Sequence, residues 1–274
     1  MIDYHVHTPL CNHAEGVMEA YVRKALEIGL KEICFLDHLT VAEYAYQSGR
    51  KLSMTPEEVP LYFQAVQLLK QRYKGSIDVK VGLEIDFNPE HVNLFYDIVK
   101  TYSFDVIGSS LHFPVGLDVV SSNSDWKHGK GDTDHIYSLY FEQMVSMLEH
   151  SYYDMVCHLD LVKKYGRNSF KPFDKEIDEI VSIIGNKNII VEVNTSGYNH
   201  PAKEVYPSPD IIKKCLKAGI GVTLGSDAHH PQSVGQNFDR ALSVLISAGY
   251  KHLSTFARRK RGTIPIKNAV PQQP

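Results

Sequence analysis

Residues 2–13 read IDYHVHTPLCNH, and residues 222–230 read VTLGSDAHH. In both, a short apolar run ends on metal-competent side chains two residues apart: His5 and His7 in the first, Asp227 and His229 in the second. A β-strand turns successive side chains to opposite faces, so a spacing of two sends both members of a pair to the same side. Between these ends the pattern recurs. ICFLDH (33–38), VKVGLE (79–84), VIGSSLH (106–112) and YDMVCHL (153–159) run from apolar residues into His38, Glu84, His112 and His158. Barrel enzymes place their chemistry at the C-terminal ends of parallel strands. A chain that repeats this placement at nearly every strand is building a polynuclear metal site there. His13, in the polar loop after His7, is the remaining candidate ligand.

Working outward, the periodicity predicts strands at 2–7, 32–37, 77–85, 104–111, 153–158, 189–194 and 221–226. Helical spacing of apolar residues occupies 16–29, 56–74, 90–101, 133–150, 173–185, 208–219 and 237–249. Gly29 and Gly219 follow their helices, and Ser208 with Pro209 offers an N-cap and a first helical residue. Strands alternating with helices imply parallel pairing. Seven such units would close as a distorted (β/α)7 barrel related to the eightfold TIM barrel, with the active site at the C-terminal ends of the strands. An open doubly wound sheet would gather its ligands at one switch point instead of at most of its strands.

The chain has 274 residues, 43% of them hydrophobic, and a formal net charge of −3. That length supports one large core and a single domain, 1–274, with the folded part expected at 1–262 and a frayed tail at 263–274 opened by one final strand. The charge balance argues against a nucleic-acid or membrane surface built on net positive charge. A strand carrying ligands opens at residue 2, so no signal peptide is expected. The four cysteines (Cys11, Cys34, Cys157, Cys215) lack ligand spacing and read as reduced packing residues, which fits a cytoplasmic protein. Two long loops, 39–55 and 113–131, follow ligand-bearing strands and are candidate walls of the site. They carry Tyr44, Tyr46, Asp118, Asp125 and Trp126 as candidate substrate contacts.

Taken singly, each ligand has a plainer reading: His13 as a surface histidine, Asp37 and Asp160 as loop polar groups, His112 and His158 as hydrogen-bonded core histidines. Glu84 is more telling, because a carboxylate closing a buried strand must be paired or ligated. The combination decides for metal. The other histidines (His91, His128, His135, His150, His200, His230, His252) fall mostly in helices or loops and are left out of the site.

These stretches, DYHVHTPLCNHA, FLDH, GLEID, SSLHF, CHLDL, EVNTSGY and GSDAHH, resemble the PHP superfamily, named for polymerase and histidinol phosphatase domains. Within it the chain looks most like the histidinol-phosphate phosphatases of histidine biosynthesis. The resemblance implies three divalent transition-metal ions. One would be held by His5, His7, Glu84 and Asp227, a second by His13, His38 and His229, and a third by Glu84 as a bridge with His112 and His158. Mainly imidazole ligands suit zinc, iron or manganese better than magnesium or calcium. Asp37, Asp160 and Glu192 fit as acceptors that orient ligand imidazoles.

The implied chemistry is hydrolysis of a small phosphate monoester, L-histidinol phosphate, by a metal-activated hydroxide. Lys163, Lys164 and Arg167, soon after His158, are the nearest cations for the phosphate. Arg167 joins Asp227 and His229 as candidate catalytic groups, with Asp227 or His229 protonating the leaving oxygen. Asn194 and Ser196 are expected to face the substrate. Two other readings are another phosphoesterase of the superfamily, acting on nucleotides, oligonucleotides or phosphotyrosine, and a non-catalytic metal-binding scaffold. Oligomeric state stays open.

Overall fold

The computed structural model describes residues 1–41 and 51–266. Its main sheet contains β1 (Ile2–Val6), β2 (Glu32–Leu39), β3 (Asp78–Asp86), β4 (Val106–Ser110), β5 (Met155–Val156), β6 (Ile190–Asn194) and β7 (Val222–Gly225). All neighbours are parallel, and the spatial order is the order of the sequence. Just past β7, Ala228 bridges to Val6. The Asp227 N–H donates to the His5 carbonyl at 2.8 Å, and the His7 N–H donates to the Ala228 carbonyl at 3.0 Å. The first and last strands therefore meet, and the sheet is a nearly closed seven-stranded barrel, as the periodicity predicts.

Among the described residues seven α-helices alternate with these strands: α1 (Met18–Glu27), α2 (Val59–Arg72), α3 (Val92–Thr101), α4 (Thr133–Leu148), α5 (Asp174–Lys187), α6 (Pro209–Lys217) and α7 (Phe238–Ala248). Parallel strands covered on both faces read as continuous apolar runs, and Ile33, Phe35, Val79, Val81, Leu83, Val106, Ile107, Val191 and Val193 are fully buried. The helices contribute one face each. In α7 the buried residues are Phe238, Ala241, Leu242 and Leu245, at the spacing of a single helical stripe. Each large apolar side chain so buried stabilises the fold by roughly 1.5–3 kcal/mol. Gly29 and Gly219 take φ of +74° and +72°, the left-handed turn by which the chain leaves α1 and α6.

Three expectations are corrected. The strand expected at 153–158 is only Met155–Val156, because His158 takes φ +26° and breaks the ladder just beyond it. Ser208 does sit at the N-cap of α6, but its side chain makes no capping bond; its backbone N–H donates to Asp160 instead. The final strand expected to open the tail is present, but it begins earlier, at Lys260, and its pairing with a preceding strand is not anticipated. Residues Lys260–Pro265 form β9, antiparallel to β8 (His252–Ala257), outside the barrel sheet. Residues 267–274 lie outside the described chain.

The β8–β9 hairpin packs beneath the N-terminal ends of the barrel strands. The Phe256 N–H donates to the Tyr4 hydroxyl at 2.7 Å, the Arg258 N–H to Asp105 at 3.1 Å, and the Arg259 guanidinium grips Asp154 at 2.9–3.1 Å. The opposite end of the barrel is left to the ligands. Among the described residues no helix is long and apolar enough to cross a membrane.

Candidate metal centre

All nine candidate ligands converge at the C-terminal mouth of the barrel. Glu84, at 0% exposure, stands at the centre. Its Oε2 lies 3.2 Å from His5 Nε2 and 2.8 Å from His38 Nδ1, and its Oε1 lies 2.7 Å from His158 Nε2 and 3.5 Å from His112 Nε2. His7 Nε2 lies 2.9 Å from Asp227 Oδ1. His5, His7 and Asp227 offer ligand atoms within 4.8 Å of one another, and so do His7, His38 and His229. His13 completes the outer group, its Nε2 2.9 Å from His229 Nε2. Glu84 thus touches imidazoles on both sides of the mouth, which a bridging carboxylate requires.

Carboxylates behind the ligands fix two of the rings. Glu192 holds His5 Nδ1 at 2.7 Å, and Asp37 holds His7 Nδ1 at 3.2 Å, so both rings turn Nε2 toward the mouth. Asp37 is itself pinned by the Thr8 hydroxyl and by the Thr8 and His38 N–H groups. Asp160, expected in the same role, pairs with Lys163 at 2.7 Å and with the Ser208 N–H at 2.9 Å, and so serves the loops instead. Asp86, which the sequence reading passed over, takes the third orienting position: it accepts the His112 N–H at 2.8 Å and lies 3.4 Å from His112 Nδ1. Its signal was present, two residues after Glu84 on the same strand and so on the same face. Two candidate ligands, His158 and Asp227, sit at positive φ, +26° and +56°. Such strain persists where the surroundings over-determine the backbone, as at functional sites.

The charge pattern is unequal. Burial pushes the His5 imidazole down, but Glu192, Glu84 and Asp227 together overcome it and hold its pKa well above the ordinary value. His7 is pushed up to about 9, burial being outweighed by its hydrogen bonds to Asp227 and Asp37. Burial, then repulsion from His7, drives His38 down to about 3 and lowers His13 and His229 as well. Burial alone would raise the Glu84 and Asp227 carboxyls, yet the surrounding imidazoles, His5 first, hold both well below the carboxylate range. The mouth therefore presents two ionised carboxylates and three neutral outer imidazoles, all with lone pairs to give. Asp227 is held as the carboxylate and His229 as the neutral imidazole, which keeps an N–H on one of its two nitrogens.

These donors fit a metal cluster. His5 Nε2 and Glu84 Oε2 are buried and face each other at 3.2 Å without hydrogen-bond geometry, and buried polar atoms so left are costly in the absence of a ligand. Seven imidazoles and two carboxylates suit zinc, iron or manganese. Cys11 and Cys157 are buried beside the set, and burial raises both thiols, in keeping with packing residues.

A cavity of about 690 Å³ opens over the ligands. Its walls include Thr40 and Leu52 from one long loop, Phe113 and Val120–Asn123 from the other, and Leu161, Lys164, Ser196 and His200. Lys164 and Ser196 are part of this wall. Arg167 is not: its guanidinium donates to the Trp126, Lys130 and Gly131 carbonyls and to Thr133, and lies 4.0 Å from the Trp126 ring centroid, so it ties down a loop. Lys163 is consumed by Asp160 and Glu204. Asn194 is fully buried and donates to Glu192 and Asp227, orienting them instead of facing substrate. Asp118, Asp125 and Trp126 line a neighbouring pocket, and Tyr44 and Tyr46 lie outside the described residues. His200, left out of the sequence-based site, lines the cavity.

Fold and site together define a (β/α)7-barrel protein with a cluster of metal-competent side chains at the C-terminal ends of its strands. The chain belongs to the PHP domain family, whose model matches residues 3–196. It is 29% identical over 260 residues to the "Probable histidinol-phosphatase" of Deinococcus radiodurans, covering 95% of this chain and 98% of that one. It is 27% identical over 265 residues to the histidinol-phosphatase of Lactococcus lactis, covering 94% and 95%. A crystal structure of histidinol phosphate phosphatase from Lactococcus lactis, complexed with zinc, L-histidinol and phosphate, has the same fold. It superposes with a TM-score of 0.81 at 24% identity, over 95% of this chain and 98% of that one.

Proposed function

We propose that this protein hydrolyses L-histidinol phosphate to L-histidinol and phosphate at a centre of three divalent transition-metal ions. The observation that carries the chemistry is Glu84, fully buried and in contact with four imidazoles beneath an open cavity. The substrate is supported by the relatives of nearly equal length named for that activity. His5, His7, Glu84 and Asp227 would hold one ion, His13, His38 and His229 a second, and Glu84 with His112 and His158 a third. When bound, such ions supply hydroxide at neutral pH and screen charge on the phosphoryl oxygens.

The chain's own groups do the positioning. Glu192, Asp37 and Asp86 fix the ligand rings, and Asn194 and Ser196 hold Asp227, the Ser196 hydroxyl donating to Asp227 Oδ2 at 3.1 Å. Lys164 brings a cation to the cavity wall, where it complements the phosphoryl charge. Phe113, Leu161 and Val120 give the apolar surface against which the alcohol packs.

A panel of phosphate esters assayed with metal-reconstituted protein tests this reading. The expected result is kcat/KM for L-histidinol phosphate at least roughly a hundredfold above that for p-nitrophenyl phosphate, because a site built to hydrogen-bond an amine and an imidazole rejects esters lacking them. Equal efficiency on both, or a preference for nucleotides or phosphotyrosine, would move the protein to another branch of the family.

A further inference from the structure

We infer that His200 binds the phosphoryl group of the substrate alongside Lys164, on the cavity wall facing the metal ligands. The inference rests on the phosphate-monoester reading above and adds to it a residue that no ligand pattern marks.

His200 shares its cavity with Lys164, Ser196, His158, Asp227 and His229. Its backbone is fixed on both sides. The His200 N–H donates to the Gly197 carbonyl at 3.2 Å, and the His200 carbonyl accepts from Lys203 at 3.0 Å. The loop is also joined to the one bearing Lys164, since the Ala202 N–H donates to the Lys164 carbonyl at 3.2 Å. Pro201 packs so closely on Gly166 that a Cβ there would stand 3.3 Å from the Pro201 carbonyl oxygen. Beneath them the buried Lys163 ammonium bonds Asp160, Glu204 and the Val205 carbonyl at 2.7, 2.8 and 3.1 Å, tying the two loops together from below. These contacts hold the two loop backbones against each other, and both side chains line the same cavity.

The imidazole is part of the cavity wall. It is half-buried, and it makes no hydrogen bond or ion pair among the described residues. Burial first, then the Lys164 ammonium, brings its pKa down to about 4, so at neutral pH it is an uncharged ring with one N–H to donate. Lys164 donates to the Val120 carbonyl at 3.0 Å, which leaves two of its three N–H groups. A phosphate monoester has three non-bridging oxygens, more acceptors than one ammonium satisfies. A neighbouring neutral donor supplies the next bond without adding a second charge beside the first. The alcohol portion of the proposed substrate is cationic and would be repelled by Lys164, so the phosphoryl end is the part that His200 meets.

Binding of inorganic phosphate to the metal-loaded protein, followed by calorimetry, reads this contact without turnover. In His200→Ala the dissociation constant should rise about tenfold or more, as expected for loss of one hydrogen bond to a charged group. Metal content should stay at the wild-type value. His200→Phe keeps the ring's bulk without the donor and should show the same weakening, which covers the case where the alanine variant fails to fold. His200→Gln restores an N–H and should recover part of the affinity. KM should rise by a similar factor for phosphate esters of different alcohols. Unchanged phosphate affinity in the alanine and phenylalanine variants overturns the inference, as does an effect confined to one ester, which would mean that His200 reads the alcohol. Metal loss in all three variants also overturns it, because His200 would then be supporting the ligands. A wild-type protein that binds phosphate through His200 but ignores L-histidinol phosphate would sink the substrate reading and leave this assignment standing.

Discussion

The Glu192 carboxylate meets His5 Nδ1 at 2.7 Å in a space that exists because residue 225 is glycine. A Cβ on Gly225 would overlap Glu192 Oε1 and stand 2.7 Å from the His5 Cβ. Glu192 also accepts the His158 N–H at 2.9 Å, so one buried carboxylate holds two candidate ligands. Glu192→Gln can put an amide N–H where the His5 N–H now donates, which makes Nδ1 the acceptor and places the ring proton on Nε2, the nitrogen that faces the mouth. Metal affinity should fall about 10–100-fold, the usual effect of losing an orienting partner. Gly225→Ala should weaken it at least as much. Competition titrations with a zinc chelator would measure both, and wild-type affinity in Glu192→Gln would show that His5 needs no such partner.

Why some of this was legible in the sequence and some was not follows from how far each contact reaches. The strand ligands announce themselves because a period of two and an apolar run are local properties, and the barrel follows from repeating them. Arg167 and Lys163 mislead for the opposite reason. Both lie soon after His158, but their partners, Trp126 to Thr133 for one and Glu204 for the other, come from loops whose approach no local pattern encodes. His200 reads in the sequence as a loop histidine, and only the folding of its loop against Lys164 brings it to the cavity. Of the β8–β9 hairpin only the last strand is legible, since the charged turn at Arg258 and Arg259 has no apolar periodicity and makes its contacts with Asp105 and Asp154.

Glu84 is the residue whose loss should cost most. Glu84→Gln keeps the side chain's volume but removes the charge that faces His5, His38, His112 and His158. Bound metal and turnover should collapse together, in elemental analysis and in phosphatase assay. Full metal content with near-normal turnover would rule out the bridge.

Metal stoichiometry tests the cluster as a whole. Nine ligands exceed what two sites need, so about three transition-metal ions per chain are expected after gentle purification and supplementation, and a reproducible value of one or none would refute the trinuclear centre. Binding should also be pH-dependent. His5 is held protonated well above its ordinary range, and His7 up to about 9, by the neighbouring carboxylates. A metal needs the free nitrogen, so binding at pH 7 must release protons, and affinity should rise as pH rises toward about 9. Calorimetry in buffers of different ionisation enthalpy would count the protons; zero release at pH 7 contradicts this charge pattern.

Arg259 offers a test of stability separate from the chemistry. Its guanidinium grips Asp154 through Nε and Nη2 at 2.9–3.1 Å, while Asp154 also accepts the Ile107 N–H at 2.9 Å at the start of β4. The pair is thus a clasp between the hairpin and the closed end of the barrel, far from the ligand-bearing mouth. Arg259→Ala leaves a largely buried carboxylate without its cation, which should cost about 1–3 kcal/mol. For a chain of this size that lowers the melting temperature by roughly 2–10 °C. Burial raises the Asp154 pKa and Arg259 pulls it back, so in the variant the carboxyl moves further up. A raised folded pKa means that the destabilisation is present while the group is charged and is relieved as pH falls through that value. The difference in stability between wild type and variant should therefore be largest near pH 7 and shrink on acidification, with bound metal per chain unchanged at pH 7. Thermal unfolding at several pH values measures it; a constant or growing difference toward acid pH would mean that the clasp is not what holds the hairpin.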